Sequence, residues 1–304
     1  MSDPVSIPSR IPSIFKKTLD EPVSGLERVQ NGAVNLIYIV TTAQSKYIIL
    51  IDPNESTSAR FQKEEWCMKQ MQGKGIPTTS TLSVGTAEDN PFMILPYIDG
   101  VDGTEADAER LTIWRKLGEY AHKINGVATS GFGENMTAPG VFRDGWDRFI
   151  DYNISSLLEK DPLVEKSLIT AEQSRELHKI FVYLKNTPFQ FGLIHHDLAL
   201  KNTRVSPDGT VYLLDWGSAA VNIFPHLDIA EILESSLQEE SDEFESFLQG
   251  YGLGKKKYRD MKQDIQFLKL LTYIDNVRWA VDRKPDLIKK KTEKFNNAFH
   301  KTDI

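Results

Sequence analysis

Between Leu26 and Ile51 the apolar positions crowd into two short β-rich runs, Leu36-Ile37-Tyr38-Ile39-Val40 and Tyr47-Ile48-Ile49-Leu50-Ile51, parted by the polar turn Thr41 to Lys46. Runs of this length and residue type predict strands. From about Ser58 to Gly73 the spacing of Phe61, Glu65, Met68 and Met71 turns helical, and Gly73 and Gly75 are stop signals. Pro77 opens an extended segment in which Thr81 to Val84 and Phe92 to Leu95 predict two further strands, with Gly85 to Pro91 as the turn. Ahead of all this, residues 1–25 are rich in Pro, Ser and charge and read as a loose arm entering a short helix around Ile14, Phe15 and Leu19.

Beyond Pro96-Tyr97-Ile98-Asp99-Gly100 the helical period dominates, over about 105–126, 144–159 and 171–186, with Leu111, Trp114, Leu117, Ala121 and Ile124 as one apolar stripe. A single β island interrupts it from Phe191 to Asp215, and long helices return after Asp228. The pattern predicts an α+β chain: a small N-terminal β-sheet lobe plus helix over residues 1–95, a hinge over 96–103, and a larger, mainly helical C-terminal lobe over 104–304. The β island is expected where the lobes meet, and clefts between lobes are common ligand sites. No internal repeat or low-complexity segment is evident.

Composition narrows the partners. The 304 residues suffice for two lobes with a substantial core, and the net charge is 36 − 43 = −7. There is no basic block with interleaved aromatics, so a nucleic-acid partner is not expected. A mildly acidic chain is compatible with a cationic small molecule, although most acidic proteins are merely soluble. The one cysteine, Cys67, excludes an intrachain disulfide, fits a reducing cytoplasm, and sits among Trp66, Met68 and Met71 as a buried small hydrophobe would. Met1 to Arg10 lacks the apolar core of a secretory signal, and no apolar run approaches the ~20 residues of a membrane span. The expectation is a cytoplasmic monomer or homodimer that does not engage a membrane.

The chemistry concentrates in His195-His196-Asp197-Leu198-Ala199-Leu200-Lys201-Asn202, followed 13 residues after Asn202 by Asp215 at the end of the apolar run Val211-Tyr212-Leu213-Leu214. Pro207-Asp208-Gly209 is a turn that folds Asp215 back toward Asn202. Such a set suits phosphoryl transfer. Asp197 can accept the proton of an attacking hydroxyl, while Asn202 and Asp215 offer the hard oxygens that Mg²⁺ takes when it bridges nucleotide phosphates.

These residues resemble the aminoglycoside phosphotransferase family, kinase-like small-molecule phosphotransferases that include choline and homoserine kinases. Its signature is His-Gly-Asp-x-x-x-x-Asn and then Asp-Trp or Asp-Phe after a short hairpin; His196 stands here where the family usually has glycine, and Asp215-Trp216 completes the pattern. The resemblance implies a bilobal protein kinase-like fold and an ATP- or GTP-dependent transfer to the hydroxyl of a small molecule, an aminoglycoside-type antibiotic or a metabolite, with Mg²⁺. It implies Asp197 as base, His195 as support for the loop backbone, and Asn202 and Asp215 as metal ligands. Asn31-Gly32-Ala33-Val34-Asn35 resembles the loop over the phosphates, which brings in Gly32 and Asn35. Glu64, 13 residues before Pro77, falls on the helix glutamate, and Met93 to Gly100 resembles the hinge whose backbone at Leu95 and Tyr97 would meet the base. Pro225-His226-Leu227-Asp228 resembles the segment whose Asp, here Asp228, buttresses the catalytic loop, and His122 reads as structural.

One position departs. Kinase-like enzymes place a lysine or arginine on the third strand to contact the phosphates and pair with the helix glutamate, and Leu50 occupies that place. Three explanations stand: another cation such as Lys46 or Arg60 substitutes, the nucleotide is clamped less tightly, or the chain is a catalytically silent kinase-like binding module. A protein kinase is disfavoured, because only about a dozen residues separate Asp215 from Asp228. The acidic stretch Glu234 to Glu245 is a candidate lining for a cationic pocket, but such a stretch is more often a solvated face. Tyr273 and Trp279 are core or stacking candidates.

Overall fold

The alternating runs of the N-terminal third build an antiparallel five-stranded sheet. Its strands are β1 (Val23–Val29), β2 (Leu36–Thr42), β3 (Lys46–Ile51), β4 (Ser83–Ala87) and β5 (Asn90–Pro96), in the order β1-β2-β3-β5-β4. The computed structural model describes residues 7–30, 35–54, 57–106, 109–157 and 161–302. Contacts divide the chain into two units, residues 1–113 with 200–219, and residues 114–199 with 220–304.

In the first unit, side chains alternate across the sheet as the two-residue period of a strand demands. Ile49 and Ile51 of β3 join Tyr38, Val40, Phe92 and Ile94 in a buried cluster, closed by Ile11, Ile14 and Phe15 of the amphipathic helix α1 (Ile11–Thr18). Lys46, Ile48 and Leu50 fall on the opposite face. Helix α2 (Ala59–Gly73) runs as its spacing predicted and buries Phe61, Cys67, Met68 and Met71, but also Lys63 and Glu64. The β4–β5 connection is tighter than the sequence suggested. Ala87 pairs with Asn90, and the turn is Glu88-Asp89 alone, both with the positive φ that two-residue hairpins need. Gly85 lies within β4 rather than in the turn, where the ring of Phe92 covers it.

The segment 96–103 is not a plain linker. It ends in a short strand, β6 (Val101–Asp102), which pairs with β10 (Thr203–Val205), and β10 pairs in turn with β11 (Val211–Leu213). Gly100 permits this approach: its φ is +147°, and a Cβ there would stand 2.2 Å from the carbonyl oxygen of Val205.

The second unit is mainly helical, holding most of α3 (Arg110–Asn125) and then α4 (Trp146–Ser155), α5 (Pro162–Glu165), α6 (Ala171–Asn186), α7 (His226–Ser235), α8 (Asp242–Tyr251), α9 (Lys255–Arg283) and α10 (Ile288–Phe299). It also holds a sheet that periodicity only half revealed. Strands β7 (Phe132–Ala138) and β8 (Val141–Asp144) join β9 (Gln190–Ile194) and β12 (Ala220–Phe224) in the order β8-β7-β12-β9. Most of β7 is solvent-facing and carries Gly133, Glu134, Asn135 and Thr137, so no apolar alternation marks it. The expected β island is therefore divided, with β9 in the helical unit and β10–β11 in the sheet unit. Among the described residues, no helix is long and apolar enough to cross a membrane.

Glycines set how closely α3 and α8 cross. A Cβ on Gly250 would lie 1.9 Å from the carbonyl oxygen of Arg115, and one on Gly118 would lie 2.1 Å from that of Phe247. Both obstacles are backbone, which cannot swing away. Alanine would gain about 1 kcal/mol in helix propensity, but overpacking a tight crossing costs about 1–3 kcal/mol or more, and the clash wins. Gly250→Ala is expected to lower the urea midpoint of unfolding with an unchanged slope; a midpoint equal to the parent's would contradict the close crossing.

Candidate active site

Asn202 and Asp215 are brought together by the β10–β11 hairpin. Thr203 pairs with Leu213, and the N–H of Leu214 donates to the carbonyl of Asn202 at 2.8 Å, so the residues flanking the ladder's open end are neighbours. Ser206 and Asp208 cap the turn between the strands, with the Thr210 N–H donating to Asp208 Oδ1 at 3.1 Å. Asp215 leaves β11 with φ +59° and is exposed, while Asn202 is buried.

Three attachments hold this hairpin in the first unit. The N–H of Leu213 donates to the carbonyl of Pro77 at 2.9 Å. Thr78 Oγ1 donates to the carbonyl of Leu213 at 2.8 Å and receives the indole N–H of Trp216 at 3.1 Å. Lys63, only 5% exposed, donates its ammonium to the carbonyls of Gly217 at 2.9 Å and Ala219 at 2.8 Å. A buried ammonium is tolerated only where hydrogen bonds replace its hydration, and these two carbonyls do so. Arg60, Lys63 and Glu64 stand at i, i+3 and i+4 along α2 and share a face. That spacing was the available signal for Lys63, which the sequence analysis did not single out.

The expected helix glutamate, Glu64, is buried beside Asp215. Burial raises its carboxyl pKa to about 7; Arg60 opposes this, and the charge of Asp215 adds to it. Arg60 Nε lies 3.5 Å from Glu64 Oε1, and its Nη1 lies 3.2 Å from Oδ2 of the buried Asp52. The oxygen donors of Asn202 and Asp215 fit a magnesium ion chemically. Among the described residues no group of three or more His, Cys, Asp or Glu could form a full protein cage. Magnesium commonly takes one or two carboxylates and completes its shell with phosphates and water.

In the second unit the chain leaves β9 into His195, fully buried, then His196 and Asp197. His196 has φ +65°, a left-handed conformation that normally selects glycine. Its imidazole is held by Glu231, Nε2 to Oε1 at 2.5 Å, and lies 3.7 Å from Glu134 through Nδ1. Burial lowers the pKa of His196, yet the bond and charge of Glu231 outweigh this and leave it raised. Neither Glu231 nor Glu134 carries a sequence signal; each is found only through the fold. Behind the loop, Asn125 donates to the carbonyl of Leu193 at 2.9 Å and to Asp228 at 3.1 Å, and accepts from the hydroxyl of Tyr251. Asp228 thus ties α7 to α3, and burial raises its pKa to about 7.

The remaining expected residues have other surroundings. Leu95 pairs with Ile48 within the sheet, and the N–H of Tyr97 donates to the carbonyl of Lys46 at 3.1 Å. The ring of Tyr97 has Arg204 over it at 5.1 Å and Lys46 at 5.7 Å, and its hydroxyl accepts from Arg204. Asn35 directly precedes β2, and Gly32 lies outside the described residues. Three of the six acids in the stretch Glu234 to Glu245 pair with lysines: Glu234 with Lys294, Glu239 with Lys262, and Glu245 with Lys255. Tyr273 is buried and bonded to Glu234, whereas Trp279 is exposed. His122 is exposed with its ring edge against Tyr251.

Comparison with known proteins matches residues 25–263 to the phosphotransferase enzyme family, APH. A thermostable mutant of aminoglycoside phosphotransferase APH(4)-Ia, in ternary complex with ADP and hygromycin B, superposes with TM-score 0.68 at 15% identity over 95% of this chain and 97% of that one. The GDP and kanamycin complex of APH(2")-IIia gives TM-score 0.67 at 14% identity over 97% and 99%. A Staphylococcus aureus protein described as uncharacterized, in the ileS 3' region, is 26% identical over 122 residues, 38% of this chain and 88% of that protein. The two solved structures show a common fold, the protein kinase-like aminoglycoside phosphotransferase fold.

Glu64 makes stability depend on pH. Its folded pKa of about 7 exceeds the ordinary value of 4.5, so the folded state holds more protons than the unfolded state between those values. Stability therefore falls as pH rises through that window, by up to about 3 kcal/mol from this group. Glu64→Gln in metal-free protein is expected to show a shallower decline of the unfolding free energy from pH 5 to 7, not a flat one, since Asp228 titrates in the same range. Identical slopes in parent and variant would contradict the burial of the ionised group.

Proposed function

Because the chain belongs to the phosphotransferase enzyme family, with an alcohol group as acceptor, we propose that it transfers the γ-phosphate of ATP or GTP, with Mg²⁺, to a hydroxyl of a small molecule. Asp197 orients and deprotonates that hydroxyl. Asn202 and Asp215 would hold the metal, which would supply neutralisation of the charge developing on the phosphates. His195 supports the loop backbone, and the segment around Leu95 and Tyr97, with Gly32 and Asn35, borders the nucleotide. Residues 1–95 form the nucleotide-binding lobe, 96–103 the hinge, and 104–304 the catalytic and acceptor-binding lobe. A nucleotide co-substrate and one buried cysteine, whose thiol pKa burial pushes up to about 12, suit a cytoplasmic enzyme.

The observation that carries this reading is the hairpin that sets Asp215 beside Asn202, anchored by Lys63, Thr78 and Trp216. Phosphoryl transfer passes through a loose transition state, so positioning and charge neutralisation supply most of the acceleration. A rigid mount for the metal ligands is therefore the part of the machinery a fold must supply.

The acceptor reading is an aminoglycoside or a small metabolite. An aminoglycoside acceptor would make the protein a resistance enzyme. Three of the six acids of Glu234 to Glu245 pair with lysines, so that stretch does not by itself choose between the two. A panel of aminoglycosides and metabolite alcohols, read by ADP or GDP release, identifies the acceptor. On that acceptor Asp197→Asn is expected to lower kcat by roughly 10²–10⁴; a variant as fast as the parent removes Asp197 as base. Mg²⁺-dependent stabilisation of the parent by ATP or GTP is expected in thermal denaturation. Its absence, together with no nucleotide hydrolysis, would favour the silent binding module that Leu50 suggests.

A further inference from the structure

The phosphotransfer reading leaves a cation missing at Leu50, and the surroundings of the nearby basic residues differ. Leu50 lies on the face of β3 turned away from the α1 cluster. Asp52, two residues on, continues that face, since the N–H of Asp52 extends the ladder to the carbonyl of Pro91 at 3.1 Å. The carboxylate of Asp52 receives Arg60 from α2. Lys46, the other candidate, is exposed at the start of β3 with its ammonium over the Tyr97 ring. Lys63 is turned into the hairpin anchor.

Arg60 stands where a third-strand cation would act. A Cβ built on Gly217 would lie 3.2 Å from Glu64 Oε1, 3.4 Å from Asp215 Oδ1 and 3.6 Å from Arg60 Nε, so all three groups converge on one glycine. The guanidinium pairs with the helix glutamate and flanks Asp215, as a third-strand lysine would. Its side chain is 31% exposed, whereas those of Asp52 and Glu64 are each 4% exposed. The acids hold the guanidinium through Nε and Nη1, while the side chain as a whole keeps part of its surface open to solvent. A guanidinium carries five N–H donors; Nε and Nη1 face the acids, which leaves donors for phosphate oxygens, a match its planar fork favours.

We propose that Arg60, delivered from α2 and oriented by Asp52 and Glu64, contacts the phosphates of the nucleotide in place of the third-strand lysine. The inference rests on the phosphotransfer reading and sharpens it. The fold has moved the cation from strand to helix while keeping its pairing with Glu64 and its proximity to Asp215.

Calorimetric titration with MgATP and with adenosine separates a phosphate contact from a structural one. Arg60→Ala is expected to weaken MgATP binding roughly tenfold or more, as loss of a charged hydrogen bond does, and to leave adenosine binding near the parent's. Arg60→Lys should fall between. Leu50→Lys added to Arg60→Ala should recover most of the lost MgATP affinity. Should Arg60→Ala fail to fold, Arg60→Gln carries the same pair of titrations. MgATP binding unchanged in the variant, or ATP and adenosine weakened alike, overturns the role of Arg60 while the phosphotransfer reading stands. A parent that binds neither MgATP nor, in the same titration, MgGTP overturns both.

Discussion

A lysine ammonium buried under the turn that follows Asp215 is the contact on which the placing of the β10–β11 hairpin depends. Lys63 donates to the carbonyls of Gly217 and Ala219, the two ends of the short stretch by which the chain leaves the hairpin. Taking an ammonium out of water costs several kcal/mol, and main-chain oxygens repay this only when they are well placed. The register of α2 and the path of residues 216–219 are therefore coupled. The same helix turn carries Arg60 and Glu64, so whatever seats Lys63 also sets the charges around Asp215. Trp216 and Thr78 fasten the other side of the turn through neutral hydrogen bonds, and the hairpin is pinned from both flanks.

The second unit treats its part of the motif differently. The loop after β9 takes a left-handed turn at His196 without glycine. Glu231 grips the imidazole of that residue, and this contact helps hold a conformation a non-glycine residue adopts only under constraint. Asn125 joins Leu193, Asp228 and Tyr251 in one buried set of hydrogen bonds, which links α3, α7, α8 and the end of β9. One oxygen of this set, Asp228 Oδ1, is buried without a hydrogen-bond partner among the described residues, in keeping with the raised pKa of that carboxyl.

Much of this was legible before the fold was known. The spacing from Asp197 through Asn202 to Asp215 pointed to the family because it is local: an eight-residue loop and a hairpin whose turn residues announce themselves. Strands β2 to β5 and α2 followed from apolar period for the same reason, whereas β1, none of whose residues is buried, did not. Strands β7 and β8 did not, since a solvent-facing strand with glycine and polar residues has no period to read. The anchoring role of Lys63 was hidden too, because a lysine on a helix is normally solvated and only the carbonyls of residues more than 150 positions away make its burial tolerable.

The choice between Lys46 and Arg60 draws the line most clearly. Sequence alone determined the family, the phosphotransfer motif, and that the third strand offers Leu50 where a cation is expected. It offered Lys46, which would need a register shift to reach the phosphates, and Arg60 as substitutes, without the surroundings of either. Tertiary structure separates them. The strand's register sends Lys46 to the ring of Tyr97, and the packing of α2 brings Arg60 to Asp52 and Glu64 beside Asp215. A charge acts through space, and only the fold says what is near it.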